Sequence, residues 1–167
     1  MAEERKKLRV GVLFGGRSGE HEVSLASAAS VMRGLDPDRY ETVPIGITKE
    51  GHWLAGPSAQ KMLPEVLRTG QRVTMTADPT EAALVPLDSA TRAGAQRLDV
   101  VFPVLHGTFG EDGTVQGLLD LAGVPFVGAG VLGSASGMDK DVAKRLCTAA
   151  KIPVVAWLAV PRADWER

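Results

Sequence analysis

Two apolar runs limit what this chain can become. Residues 8–14 (LRVGVLF) and 98–105 (LDVVFPVL) are rich in β-formers, the pattern of strands buried on both faces of a sheet. Each run stops at a glycine-rich turn, Gly15-Gly16 in the first case and the 106–113 loop in the second. Each turn is followed by helical periodicity. Strands of this kind need helices above and below them. The expected fold is therefore α/β, a Rossmann-like parallel sheet flanked by helices.

Beyond the first turn, Ser18 offers an N-cap, with Glu20 and Glu22 in the first helical turn. Leu25, Ala28, Ala29 and Met32 then share one helical face, and Gly34 and Asp36-Pro37 end the helix. Val43, Ile45 and Ile47 alternate as a second strand, completing a βαβ unit. Pro44 cannot donate to a ladder, which puts this strand near an edge or makes it irregular there. Residues 51–97 carry recurrent Pro and Gly, with short strands expected at 52–54, 73–76 and 82–87 and a short helix at 61–69. This stretch reads as an elaborated edge insertion, a small hairpin on the sheet edge.

After the 106–113 loop, Val115, Leu118, Leu119 and Ala122 mark a helix stopped by Gly123. Residues 124–127 make a very short strand, and Gly128, Gly130 and Gly133 a further glycine-rich turn. Met138, Val142, Leu146 and Ala149 line a helix entered through Ser136 or Asp139 and limited by Pro153. Residues 154–160 read as a last strand with no evident partner.

Composition removes several function classes. At 167 residues with a formal net charge of -1, no electrostatic pull toward nucleic acid or membrane is expected. No apolar run approaches the ~20 residues of a membrane span. The opening MAEERKKLRV lacks the apolar stretch of a secretion signal, so a cytoplasmic protein is expected. The single cysteine, Cys147, excludes an intrachain disulfide and reads as a core thiol.

Three positions carry candidate chemistry. Glu20, with Glu22, occupies the helix N-terminus that a phosphate would need. Two readings stand: the acids complement the helix dipole, or they suit a cation such as a substrate ammonium. His106, at a strand end beside Glu111 and Asp112, is either a hydrogen-bonded structural residue or a working imidazole. Glu111 and Asp112 are expected to shape the loop and cap the helix behind it. Lys140 is either part of a solvated face with Lys144 or a phosphate contact after a glycine-rich turn. One histidine and two acids have no diagnostic metal spacing, and no metal ligands are assigned. The glycine spacing matches neither a dinucleotide fingerprint nor a P-loop.

The blocks GGRSGEHEVSLAS (15–27), LHGTFGEDGTVQGLLDLAGVPFVGAG (105–130) and SGMDK (136–140) resemble the D-alanine–D-alanine ligase family. The resemblance implies an ATP-grasp architecture. ATP phosphorylates the carboxylate of a first D-alanine, and the amine of a second attacks the acyl phosphate to give the dipeptide used in peptidoglycan. Glu20 matches the glutamate that holds the first ammonium, and Val23 a first-subsite contact. His106 is similar to the histidine near the first D-alanine, and Lys140 to a lysine that reaches the ATP phosphates. A homodimer is implied as well. Residues 1–130 are the expected N-terminal substrate-binding domain, with 51–97 its edge insertion, and 131–167 the start of a central domain. Most of the ATP and magnesium contacts of the family have no counterpart here, so this chain alone is expected to be inactive. A ligase using D-lactate or D-serine, or a non-catalytic binding or dimerisation module, stays open as an alternative.

Overall fold

The computed structural model describes residues 6–57, 63–81, 83–87 and 94–165. Residues 61 and 62 of the expected 61–69 helix and residue 82 of the expected 82–87 strand lie outside these. The chain opens as a parallel βαβ unit: β1 (Leu8–Gly15), α1 (His21–Gly34) and β2 (Tyr40–Ile47). Then come β3 (Trp53–Ala55), α2 (Leu63–Thr69), β4 (Gln71–Met75), β5 (Ala83–Pro86) and β6 (Gln96–Arg97). β7 (Val100–Pro103) returns to pair parallel with the free side of β1, and α3 (Thr114–Leu121) follows it.

The strands run in the order β6-β5-β4-β3-β2-β1-β7. Helices flank the sheet as expected, but the sheet is mixed rather than parallel throughout. Only β2, β1 and β7 run parallel, while β3 to β6 extend the β2 side antiparallel. The links β2–β3 and β4–β5 are short, which favours antiparallel pairing, whereas β3 and β4 pair antiparallel although α2 lies between them. The 51–97 insertion is thus a sheet extension larger than the expected hairpin.

Pro44 does not mark an edge. β2 is interior, bonded to β1 on one side and β3 on the other. The Pro44 carbonyl accepts from the Gly56 N–H at 3.0 Å, just past the end of β3. The missing Pro44 donor falls where that short ladder stops, so it costs the sheet at most one bond.

Both faces of the central strands are buried. Val10, Val12 and Phe14 pack with Ala28 of α1 and with Leu63 and Val66 of α2. Leu13, Val43, Ile45 and Ile47 pack with Val115, Leu119 and Ala122 on the α3 side. Phe14, Leu13 and Ile45 are completely buried, each stabilising the fold by roughly 1.5–3 kcal/mol. Gly11 marks a close approach: a Cβ there would lie 2.7 Å from Leu98 Cδ1.

Beyond α3, Phe126 makes an isolated parallel bridge with Val101. α4 (Val131–Met138), α5 (Lys140–Ala149) and α6 (Arg162–Trp165) follow. None of these three helices buries a residue. Gly133 lies inside α4 rather than in the expected turn, leaving Gly128 and Gly130 to make it. Asp139 caps α5, its side chain accepting from the Asp141 and Val142 N–H groups. Cys147 is half-buried on α5 rather than in a core. Residues 154–160 form no strand; no described strand lies beside them, and an extended run gains a ladder only from a partner. Trp157 instead donates its indole N–H to Asp141 Oδ1 at 2.7 Å. No helix among the described residues is long and apolar enough to cross a membrane.

Candidate functional site

The site forms where the C-terminal ends of β1 and β7 meet the start of α1. Past Pro103, the Val104 N–H still donates to the Leu13 carbonyl at 2.8 Å, so the 106–113 loop leaves the sheet beside β1. Three loop positions turn left-handed: Gly107 (φ 70°), Phe109 (φ 67°) and Gly113 (φ 92°). Glycine takes this conformation without penalty, whereas for Phe109 it costs roughly 1–2 kcal/mol. Asp112 Oδ2 accepts the Phe109 N–H at 2.8 Å, and the Arg17 guanidinium lies 4.7 Å above the Phe109 ring. Both contacts offset the strain.

The two loop acids shape the backbone. Glu111 Oε2 accepts the Gly107 N–H at 2.7 Å, and Asp112 Oδ1 accepts the Thr114 N–H at 3.0 Å. Burial pulls the Asp112 carboxyl up, but hydrogen bonds from the Phe109 N–H and from the Thr114 side chain and N–H leave it below its ordinary value. Gln116 on α3 fixes the far side of the loop, donating to the Gly110 carbonyl at 2.9 Å.

α1 meets this loop through its first two turns. Ser18 is not the N-cap. That position falls to Glu20, and no side chain caps the helix. Ser18 Oγ accepts the Glu20 N–H at 3.2 Å and donates to the His106 carbonyl at 2.7 Å. Buried His21 donates from Nδ1 to the Gly16 carbonyl, 2.8 Å away, which fixes its tautomer because a carbonyl only accepts.

The structure separates the two acids of this turn. Glu22 is engaged by Lys49 Nζ at 3.0 Å, and that hydrogen-bonded cation lowers its pKa. Glu20 is exposed, and its carboxylate makes no hydrogen bond or ion pair with any other described residue. It lies over bare Gly107, where a Cβ would stand 3.6 Å from Glu20 Oε1. His106 is the neighbouring residue, its ring Nε2 3.2 Å from Ser27 Oγ. Val23, 53% exposed, lies one helical turn beyond Glu20 on the same side of α1. Glu20, Val23 and His106 therefore come together.

Lys140 does not join them. It is the first residue of α5, exposed, with Nζ donating to the Gly137 carbonyl at 3.2 Å. A cavity of about 370 Å³ opens beside it, lined also by Gly110, Glu111, Gln116, Gly128 and Ser134. A second cavity of about 300 Å³ lies on the other side of the loop, lined by His106, Phe109, Arg17, Trp53 and Leu118. The loop is the partition between them, and neither lining includes Glu20 or Val23. No group of three or more His, Cys, Asp or Glu among the described residues could hold a metal ion. The described residues therefore do not fit magnesium.

Sequence reasoning missed Ser18 and Ser27 as partners of His106, and Arg17 as the partner of Phe109. Ser27 had a signal: it follows Val23 by four positions and Glu20 by seven, on one helical face.

Residues 9–129 match the family described as D-ala D-ala ligase N-terminus. The chain belongs to the D-alanine–D-alanine ligase family. It is 54% identical over 160 residues to the D-alanine–D-alanine ligase of Rhodococcus opacus, covering 90% of this chain and 43% of that protein. The corresponding ligase of Natranaerobius thermophilus is 48% identical over 164 residues, 97% of this chain and 44% of that protein. Among solved structures, the VanG D-Ala:D-Ser ligase of Enterococcus faecalis superimposes with a TM-score of 0.81 at 35% identity, covering 96% of this chain and 47% of that one. The D-alanine–D-alanine ligase of Coxiella burnetii gives 0.78 at 36% identity, covering 93% of this chain and 46% of that one. The chain thus spans less than half the length of these ligases, and the site described lies within the matched 9–129 region apart from Lys140.

Proposed function

We propose that this chain is the first-substrate part of an ATP-dependent ligase that joins two D-alanines for peptidoglycan synthesis. The observation that carries the reading is the Glu20 carboxylate, unpaired among the described residues, that lies over Gly107 beside His106 in a member of this family. An exposed carboxylate with no cation beside it among the described residues is suited to a substrate ammonium. In this reading Glu20 holds the ammonium of the first D-alanine and Val23 packs against its side chain. His106 lies at the carboxyl group that becomes the acyl phosphate. ATP supplies the phosphoryl group, and Lys140 contacts its phosphates. Residues 1–130 form the substrate domain and 131–167 begin the nucleotide-binding domain, consistent with helices α4 to α6 burying no residue. The full protein is a cytoplasmic homodimer in the same reading.

The test is ADP release with D-alanine and ATP. The full-length protein should turn over and the 167-residue chain alone should not. Turnover by the chain alone would refute the division of labour, and an inactive full-length protein would refute the activity. The likeness to VanG supports one alternative, a D-serine second substrate. Product analysis with D-alanine and D-serine in competition separates the two.

A further inference from the structure

We infer that Ser27 is a positioning residue, whose hydroxyl holds the His106 imidazole in the orientation in which it meets the first substrate. The inference rests on the reading of Glu20, Val23 and His106 as the first-substrate site. His106 begins a loop, so its ring has no regular element of its own to hold it. Its backbone is tied to the start of α1 by Ser18, and its ring Nε2 lies 3.2 Å from Ser27 Oγ, two turns further along the same helix. A histidine held at two points by one rigid element has little freedom at χ1 and χ2.

The element itself is rigid where it matters. Fully buried Ser24 accepts the Gly15 N–H at 2.8 Å and donates to the Val104 carbonyl, while His21 is bonded to Gly16. These bonds lock the first turns of α1 to the ends of β1 and β7. Ser27 is thus fixed relative to both Glu20 and the loop. Its hydroxyl can either donate to Nε2 or accept from Nε2–H, so it bonds the ring in either tautomer and holds its orientation. Nδ1 is left as the ring nitrogen open to the substrate.

The test uses the full-length protein with Ser27→Ala and Ser27→Thr. Losing one partly buried side-chain bond should lower kcat by about two- to ten-fold in the alanine variant, with KM for ATP unchanged. Threonine keeps the hydroxyl and should restore most of the rate. In ¹⁵N spectra, the His106 Nε2 resonance should carry the shift of a hydrogen-bonded nitrogen in wild type and Ser27→Thr, and lose it in Ser27→Ala. The inference is overturned if Ser27→Ala keeps the wild-type His106 spectrum, or if its rate matches wild type. A wild-type protein without ligase activity would refute the parent reading, and the imidazole spectra would then decide this inference alone.

Discussion

Ser24 Oγ accepts the Gly15 N–H at 2.8 Å, and the same hydroxyl donates to the Val104 carbonyl. One buried atom thereby joins α1, the end of β1 and the segment after β7. Ser24→Ala removes it and leaves a buried donor and acceptor unpaired, which should cost about 1–3 kcal/mol. Urea unfolding measures this. A midpoint equal to wild type would mean that water replaces the hydroxyl.

Gly15 should tolerate no side chain. Its φ is +86°, and a Cβ would stand 2.3 Å from the Ile47 carbonyl oxygen, a backbone atom that cannot swing away. Gly15→Ala is expected to destabilise by at least about 2 kcal/mol through left-handed strain plus clash. Gly19 is the control. A Cβ there meets nothing within 4 Å, and Gly19→Ala should stay within about 0.5 kcal/mol of wild type. Equal thermal shifts for the two variants would contradict the geometry.

Glu20→Gln should leave the fold unchanged, because the carboxylate is exposed and bonds to no other described residue. In the full-length protein it should lower first-site affinity or rate by about ten-fold or more, from loss of a charge-assisted bond of roughly 1.5–3 kcal/mol. Steady-state kinetics with D-alanine reads this directly, and an unchanged rate and affinity would assign Glu20 to the helix dipole alone.

Asp112 should make the 106–113 loop acid-sensitive. Its folded pKa lies below the ordinary 3.8 because hydrogen bonds to Phe109 and Thr114 outweigh burial. With a depressed folded value, the stabilisation is complete above 3.8 and is lost as pH falls from there through the folded pKa. Stability measured against pH should drop over that range in wild type. The drop should be smaller in Asp112→Asn, and identical acid limbs would exclude this group as a contributor.

Much of the fold was legible locally. The run at 8–14 reads as buried on both sides because every second side chain faces each layer, and Val12 and Leu13 are indeed completely buried. Gly34 and Gly123 end their helices where turn chemistry puts them. Pro44 misled because a missing donor signals an edge only if a partner strand continues past it, and β3 ends first. Gly133 misled because a glycine in a short apolar stretch reads as a turn, although an α-helix accepts one at about 1 kcal/mol.

The sequence by itself determined the α/β class, the strands of the parallel centre and the residue types able to do chemistry, because periodicity and turn preference act over a few residues. Only the tertiary structure decided which of those residues meet. Glu22 pairs with Lys49 and leaves Glu20 without a partner among the described residues, and Ser27 reaches His106 across 79 positions of chain. Such pairings depend on which strands lie side by side and on where a rigid helix is pinned to them. The energies of those distant contacts leave no trace in local pattern.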